Sequence, residues 1–501
     1  MIFKVKASPP APLHVCCAKC KQRRGEKTRR DGTLPRTSYT VQVLTVMLNL
    51  IQHPLQTRGL RVKSAMTRSL TTLLLLIAFC ARSFAQEAPP LGLMDAIAEG
   101  LENNYSILLA HKSAEVSSNN ATLGNAGMLP SVTLNSTLNK SIAENYTKYY
   151  DGRIQDRSGK STNWNGNVAL DWTVFDGFAM FADYDRLKEL EMMGQENLRA
   201  SIQQTIASIM NVYFDIVSRQ QELVATEHIL KISRLRKHSA NDRFVAGRVS
   251  KVETLSAQVD YNADSASYIR QTEDLRKAKI QLNKLLAREI TADFLASDTI
   301  CIDQTLHFGK IHDKALAENP DVVLSRMSVN VAAFSLKVME GSRYPRIRLT
   351  SNYTMVRSNS ETAQVAEGRS GTFNYGASLS MPLFNGLNIN RQIKNARLDR
   401  EAADIRFEQI QKEIEAQVAT AYSVYEVNRQ LAAFEAANLG LAAENLDISM
   451  ERYRLGAISA VELRDVQRSY ISATNRLIVA TYNAKVAETA LKLLTGEVMK
   501  F

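Results

Sequence analysis

Cysteine is nearly missing from the part of this chain that has to fold. Five occur in 501 residues, and four of them (Cys16, Cys17, Cys20 and Cys80) precede residue 86. Cys301 stands alone after that point, which excludes an intramolecular disulfide and leaves stability to packing or assembly. Proline is absent from 178–246 and from 388–455, so nothing of that kind interrupts a helix there. The apolar run at 70–79 is too short to span a bilayer as a helix, which takes about 20 residues. Catalytic signatures are absent: there is no H-E-x-x-H, no G-x-S-x-G and no glycine-rich phosphate loop. The histidines after residue 85 (His111, His228, His238, His307 and His312) are scattered and read as surface or packing residues. Cys17-x-x-Cys20 with His14 is half a zinc knuckle lacking its second pair, so no metal and no cofactor is expected, and no enzyme.

The charge balance misleads until the charges are located. The whole chain carries 62 Lys+Arg against 51 Asp+Glu. Residues 1–85 hold 15 of the basic and 2 of the acidic side chains, so the remainder has 62 − 15 = 47 against 51 − 2 = 49. A near-neutral body argues against nucleic acid as a partner. The stretch from Met66, "MTRSLTTLLLLIAFCARSFAQE", has a basic start, an apolar core and a small-residue site at Ala85, which is the order of a secretory signal peptide over 66–85. Residues 1–65 read as an over-extended N-terminus. Cys80 follows Phe79 where a lipidation site wants a small residue, which disfavours lipidation.

The rest of the chain is one unit written twice. "LGLMDAIAEGLENNYSI" from Leu91 matches "LHFGKIHDKALAENPDV" from Leu306, and "MLPSVTLNSTLN" from Met128 matches "RYPRIRLTSNYT" from Arg343, both at an offset of 215. "WTVFDG" from Trp172 matches "MPLFNG" from Met381, and "RFVAGRVSKVE" from Arg243 matches "RYRLGAISAVE" from Arg452, both at 209. Two repeats are therefore expected, 86–300 and 301–501.

Each repeat holds a stretch of period 2. Val132, Leu134 and Leu138 alternate with Thr133, Asn135 and Asn139, and Trp164, Val168, Leu170 and Trp172 with Asn165, Asn167 and Asp171. In the second repeat Ile347, Leu349, Tyr353 and Met355 alternate with Arg348, Thr350, Asn352 and Thr354, followed by Phe373, Tyr375 and Leu379. These patterns predict hairpins at about 131–175 and 346–384, with strands of about 10 residues joined by long polar loops at 140–162 and 357–372. Two readings are open: a soluble sheet with one wet face, or transmembrane β-hairpins with aromatic girdles.

Elsewhere the period is near 3.5. Ile202, Ile206, Ile209, Tyr213, Ile216, Gln220, Leu223, Glu227 and Leu230 step by four and three, and Leu275, Ala278, Leu282 and Leu285 continue the habit. The proline-free stretches predict helices of about 70 residues, roughly 100 Å long, which suit a strut or duct better than a globule. Four strands per chain cannot close a barrel, so strands in lipid would have to come from several copies.

In duplicated order, the opener "AIAEGLENN", the prolines Pro130 and Pro345 before each strand pair, "VFDG" and "LFNG" after each, and the repeated R-[FY]-x-x-G-x-[VI]-S phrase resemble the TolC family of outer-membrane efflux and secretion channels. The resemblance covers essentially the whole chain after residue 85. It implies an α+β membrane protein: a homotrimer whose twelve-stranded β-barrel continues into a periplasmic α-helical barrel. It further implies a passive exit duct in outer-membrane lipid, served by a periplasmic adaptor and an inner-membrane pump of RND or ABC type. A periplasmic adaptor or a structural coiled-coil envelope protein is the alternative; neither requires a full duplication with two amphipathic strand pairs.

Gly247 and Gly456 would end one helix at φ > 0, with Ser250 and Ser459 as N-caps and Glu253 and Glu462 completing capping boxes. The resemblance implies that these turns are the periplasmic tips. Glu462 and Asp465 then match acidic gate positions that favour cations, and Tyr453 with Glu253 matches a releasable tyrosine–acid link. Where relatives carry a basic latch residue this chain has Ile458. Arg243, Val245, Gly247, Arg248, Ser250, Arg452, Leu455, Gly456 and Ser459 match the tip that meets an adaptor. Arg348 is expected on the lumenal face of the barrel.

Overall fold

A computed structural model describes residues 89–363 and 365–498. The expected signal peptide, the Cys17-x-x-Cys20 pair and Cys80 lie outside the described residues. From Leu91 onward the chain forms one unit.

Two short helices open each half. α1 (Leu93–Asn103) and α2 (Tyr105–Asn120) meet at Asn104, whose side chain accepts from Ser106 N–H at 2.8 Å and donates to Leu285 O at 2.7 Å. α5 (Phe308–Glu318) and α6 (Pro320–Gly341) meet at Asn319, which accepts from Asp321 N–H at 2.9 Å and donates to Leu494 O at 3.1 Å. The same asparagine clamp thus occurs twice, fastening a helix start to the end of a long hairpin and satisfying otherwise orphaned backbone groups. The 308–341 stretch is long and apolar enough to cross a membrane by composition, but the Asn319 junction divides it into two helices.

Apart from a separate pair of two-residue strands, Pro90–Leu91 and Leu295–Ala296, the strands are β1 (Ser131–Lys148), β2 (Ile154–Phe175), β3 (Arg346–Ser360) and β4 (Glu367–Ser380). The four form one antiparallel sheet in the order β1-β2-β3-β4, with both edges open among the described residues. The long loops expected at 140–162 and 357–372 are mostly paired strand. β1 and β2 stay in register from Ser131↔Asp171 to Lys148↔Ile154, and β3 and β4 from Arg346↔Ser380 to Asn359↔Glu367. Backbone pairing needs no apolar face, so a hairpin runs on after its hydrophobic alternation has stopped. β4 ends at Ser380, short of the expected 384, because Pro382 has no N–H for the ladder.

Register separates the two faces. Val132, Leu134, Val168, Leu170, Leu349, Tyr353, Phe373 and Tyr375 share one face, and Thr133, Asn135, Asn167, Asp171, Thr350, Asn352, Thr354 and Asn374 the other. Among the described residues nothing packs on the apolar face: Leu134 is 75% exposed and Tyr375 81%. Trp172 and Trp164 tie their indole N–H groups to Met128 O at 2.9 Å and Ser136 Oγ at 3.1 Å.

The long helices match the proline-free stretches. α3 (Ala179–Val245) and α7 (Asn388–Arg454) have 67 residues each, and α4 (Lys251–Leu285) and α8 (Ala460–Leu494) have 35. α3 is therefore about 100 Å long. The seam of α3 begins as expected, with Ile206, Ile209, Tyr213 and Ile216 at most 1% exposed. It then drifts. After Val217 and Ser218 the buried residues are Ala225, Thr226, Ile229, Ile232, Ser233, Arg236 and Ala240, while Glu227 is exposed and pairs with Lys231. A straight helix turns every 3.6 residues, so a strict 3.5 count slips by about 20° per heptad.

Candidate functional site at the hairpin tips

Both long hairpins reverse through the same backbone device. Gly247 (φ 70°) donates to Phe244 O at 2.9 Å and Arg248 N–H to Arg243 O at 2.8 Å. Gly456 (φ 76°) donates to Tyr453 O at 3.0 Å and Ala457 N–H to Arg452 O at 2.8 Å. These bonds satisfy the last carbonyls of α3 and α7, and the left-handed position favours glycine. The restarts differ. Ser459 Oγ accepts from Glu462 N–H at 3.2 Å and Glu462 Oε2 from Ser459 N–H at 3.0 Å, a complete capping box. Ser250 occupies the N-cap of α4 but makes no side-chain cap bond, so the box expected with Glu253 is absent there.

The sequence-derived residues fall into two groups. Gly247, Arg248, Ser250, Arg452, Leu455, Gly456 and Ser459 are exposed on the two turns, with Leu455 82% and Val245 79% accessible. Glu462 and Asp465 are exposed on α8, Asp465 facing Arg468 at 3.9 Å. Arg243 and Tyr453 instead join the hairpins. The Arg243 guanidinium stands 5.1 Å from the centre of the Tyr453 ring and donates to Tyr453 O at 3.3 Å. Tyr453 is 5% exposed, and its phenol oxygen has no hydrogen-bond partner among the described residues. The tyrosine–acid link implied by the family resemblance is therefore not made within this chain. Burial pushes the Tyr453 phenol above its usual range; Arg243 opposes that shift and the nearby Glu253 adds to it. A cavity of about 260 Å³ lies beside this contact, lined by Ile232, Arg236, Arg243, Met450, Tyr453 and Leu463 among others.

Sequence reasoning missed what lies just above the turns. Arg464 of α8 grips Asp264 of α4 with two bonds of 2.8 Å and reaches Asp260 at 3.6 Å. Asp260 also pairs with Arg236 of α3, and Ser233 Oγ donates to Asp264 at 2.5 Å. Arg236 is 3% exposed and Asp264 9%. Two guanidiniums and two carboxylates thus tie α3, α4 and α8 together. One signal was available: Arg236 falls seven residues after Ile229, on the buried stripe.

At the opposite end, Arg348 lies on the polar face of the sheet, 3.4 Å from Asp171. Among the described residues no group of His, Cys, Asp and Glu could hold a metal ion.

Two long helical hairpins with paired tips, joined to an amphipathic sheet open at both edges, set the frame for comparison with known proteins. The family model for outer membrane efflux proteins matches residues 96–288 and 311–497. The chain belongs to the outer membrane efflux protein family. The family is one of outer-membrane efflux ducts, with one matched block in each half of the chain. The outer membrane efflux protein BepC of Brucella suis biovar 1 is 20% identical over 404 residues, 81% of this chain and 85% of that protein. The alkaline protease secretion protein AprF of Pseudomonas aeruginosa is 22% identical over 425 residues, 82% and 85% of the two chains. Among solved structures, the CmeC outer membrane channel of Campylobacter jejuni superposes with a TM-score of 0.65 at 15% identity, covering 81% of this chain and 85% of that one. That likeness extends to the fold of nearly the whole described chain.

Proposed function

We propose that this outer membrane efflux protein is the passive exit duct of a tripartite efflux pump or type I secretion system, and not an enzyme. One observation carries the reading: a four-stranded sheet with a bare apolar face and two unpaired edges cannot stand alone in lipid. Three copies joined edge to edge supply 4 × 3 = 12 strands and close a barrel. The apolar face then meets lipid, while the Asn, Thr and Ser face with Arg348 lines water. The long helices carry the duct on across the periplasm. The two halves act as one duplicated unit, exported by the segment at 66–85.

The tips form the entrance. Glu462 and Asp465, three residues apart on α8 and both exposed, become carboxylate rings in a trimer and favour cations. Tyr453 and Glu253 come within reach of partners once neighbouring copies assemble. The exposed turn residues, from Arg243 to Arg248 and from Arg452 to Ser459, meet a periplasmic adaptor, and an inner-membrane pump chooses the cargo and supplies the energy. AprF and BepC are named for secretion and efflux respectively, in keeping with a duct indifferent to cargo.

The test is cross-linking and planar-bilayer recording of the full chain. A trimer with steady cation-preferring conductance is expected, and a soluble monomer without conductance would sink the proposal. Glu462→Ala with Asp465→Ala should shift ion selectivity; unchanged selectivity would leave these residues as a cap and a surface ion pair only.

A further inference from the structure

We propose that the outer face of the sheet carries a docking row for phosphate-bearing lipid headgroups of the outer leaflet, centred on Arg357 and Arg369. The inference rests on the barrel reading above, which turns the apolar face toward lipid.

Register builds the row. Arg357 of β3 lies directly opposite Arg369 of β4, Trp164 of β2 lies on the other side of Arg357, and Leu138 of β1 lies opposite Trp164. Below it, on the same face, come Met355, then Phe373, Tyr353, Val168 and Leu134, and the apolar rows continue to Ile347 and Leu379. From Met355 to Ile347 is eight residues, or about 27 Å along the strand. Strands tilted by about 40° turn that length into a rise of about 21 Å, and two residues more bring Arg357 to about 26 Å above Ile347, the top of the hydrocarbon band of an outer-membrane barrel, roughly 25 Å tall. The arginine row therefore sits where the apolar band stops, beside a tryptophan of the kind that marks the headgroup level.

The charges there are poorly matched. Like charges directly opposite on neighbouring strands repel, yet Arg357 and Arg369 share one carboxylate, Glu367, at 3.2 and 3.0 Å. Both stay open to solvent, at 59% and 68%. Lys140 and Lys160 extend the basic face outward and are exposed. The nearby Glu361 carboxylate is occupied in accepting the Lys160 N–H at 2.9 Å, and Glu144 and Asp156 lie farther toward the turn. Two planar guanidiniums side by side match phosphate oxygens better than they match a single carboxylate. A lipid headgroup is favoured over a free anion because its acyl chains lie along the apolar rows directly below.

The experiment reconstitutes the full chain into nanodiscs of phosphatidylcholine with or without diphosphorylated lipid A, and counts lipid A retained after a salt wash by mass spectrometry. Wild type should retain lipid A. Arg357→Gln with Arg369→Gln should weaken retention about 30-fold, taking the usual worth of two basic side chains at an anionic membrane surface. Glu367→Gln should strengthen it, a gain that a misfolded protein would not produce. Equal retention by wild type and the double variant, or displacement of lipid A by millimolar inorganic phosphate, would overturn the inference while the barrel stands. Failure to insert into phosphatidylcholine alone would overturn the barrel reading and this inference with it.

Discussion

Arg464→Ala tests whether the buried charge network, and not the exposed turn, holds the tip together. The substitution removes both 2.8 Å bonds to Asp264 and the 3.6 Å approach to Asp260. Asp264, whose side chain is 12% exposed, is left with the Ser233 hydroxyl as its hydrogen-bond partner, while Asp260 keeps Arg236. Removing one partner of a buried pair costs about 3–5 kcal/mol. The lower end applies here, because Ser233 and some water remain. A cost of about 3 kcal/mol multiplies local opening by roughly 150. Hydrogen exchange of the assembled protein reads this directly, in the amides of α4 around Asp264 and of α8 around Arg464. Exchanging both residues for leucine should recover most of the loss, since a buried pair is often replaced by apolar groups at little cost. The hydrogen bonds to Asp264 raise the Arg464 pKa above its usual value. A raised value means the contribution is complete below the unfolded pKa, so the arginine side of the network does not loosen anywhere near neutral pH. Wild-type exchange in Arg464→Ala, or a double-leucine variant no better than the single one, would refute the reasoning.

Other expectations follow from local geometry. At Gly177 (φ 76°) a Cβ would lie 2.3 Å from Gly341 O and 2.6 Å from Tyr344 Cβ, whereas at Gly386 (φ 66°) it would meet nothing within 4 Å. Gly177→Ala should therefore lose about 3 kcal/mol or more and Gly386→Ala only about 1–2, read as melting temperature; equal losses would contradict this. Ser459→Ala should cost about 1 kcal/mol and Ser250→Ala almost nothing, because only the first makes a cap bond. Helix-end exchange rates distinguish the two. Arg476 of α8, 2.8 Å from Glu435 of α7, holds that carboxyl below its usual value. A lowered value means the bridge is complete above the unfolded pKa of 4.5 and fades only as pH falls through the folded one. Spin-label distances between α7 and α8 should accordingly stay constant on acidification to about pH 5; a change above that would show that another group titrates.

Much of the architecture was legible because it rests on short-range pattern. The missing prolines bound α3 and α7, the alternation in β2 and β3 identified the two faces, and the glycine phrases marked both reversals. The misses have physical causes as well. Strand pairing is a backbone property, so 140–162 read as loop while its N–H and C=O groups continued the ladder. A heptad count carried along 67 residues lost the seam, because small angular errors accumulate. The two capping phrases are nearly identical in sequence, yet only Ser459 closes its box.

The sequence by itself determined the elements, their duplication and the family, since each depends on periodicity or on a residue that only certain backbones accept. Tertiary structure alone decided which charges matter. Arg236, Asp260, Asp264 and Arg464 are ordinary helix-surface residues until α3, α4 and α8 pack and desolvate them. Arg357 and Arg369 become neighbours only through the β3–β4 register. Electrostatic strength depends on distance and burial, and residues far apart in the chain acquire both only when the fold brings them together.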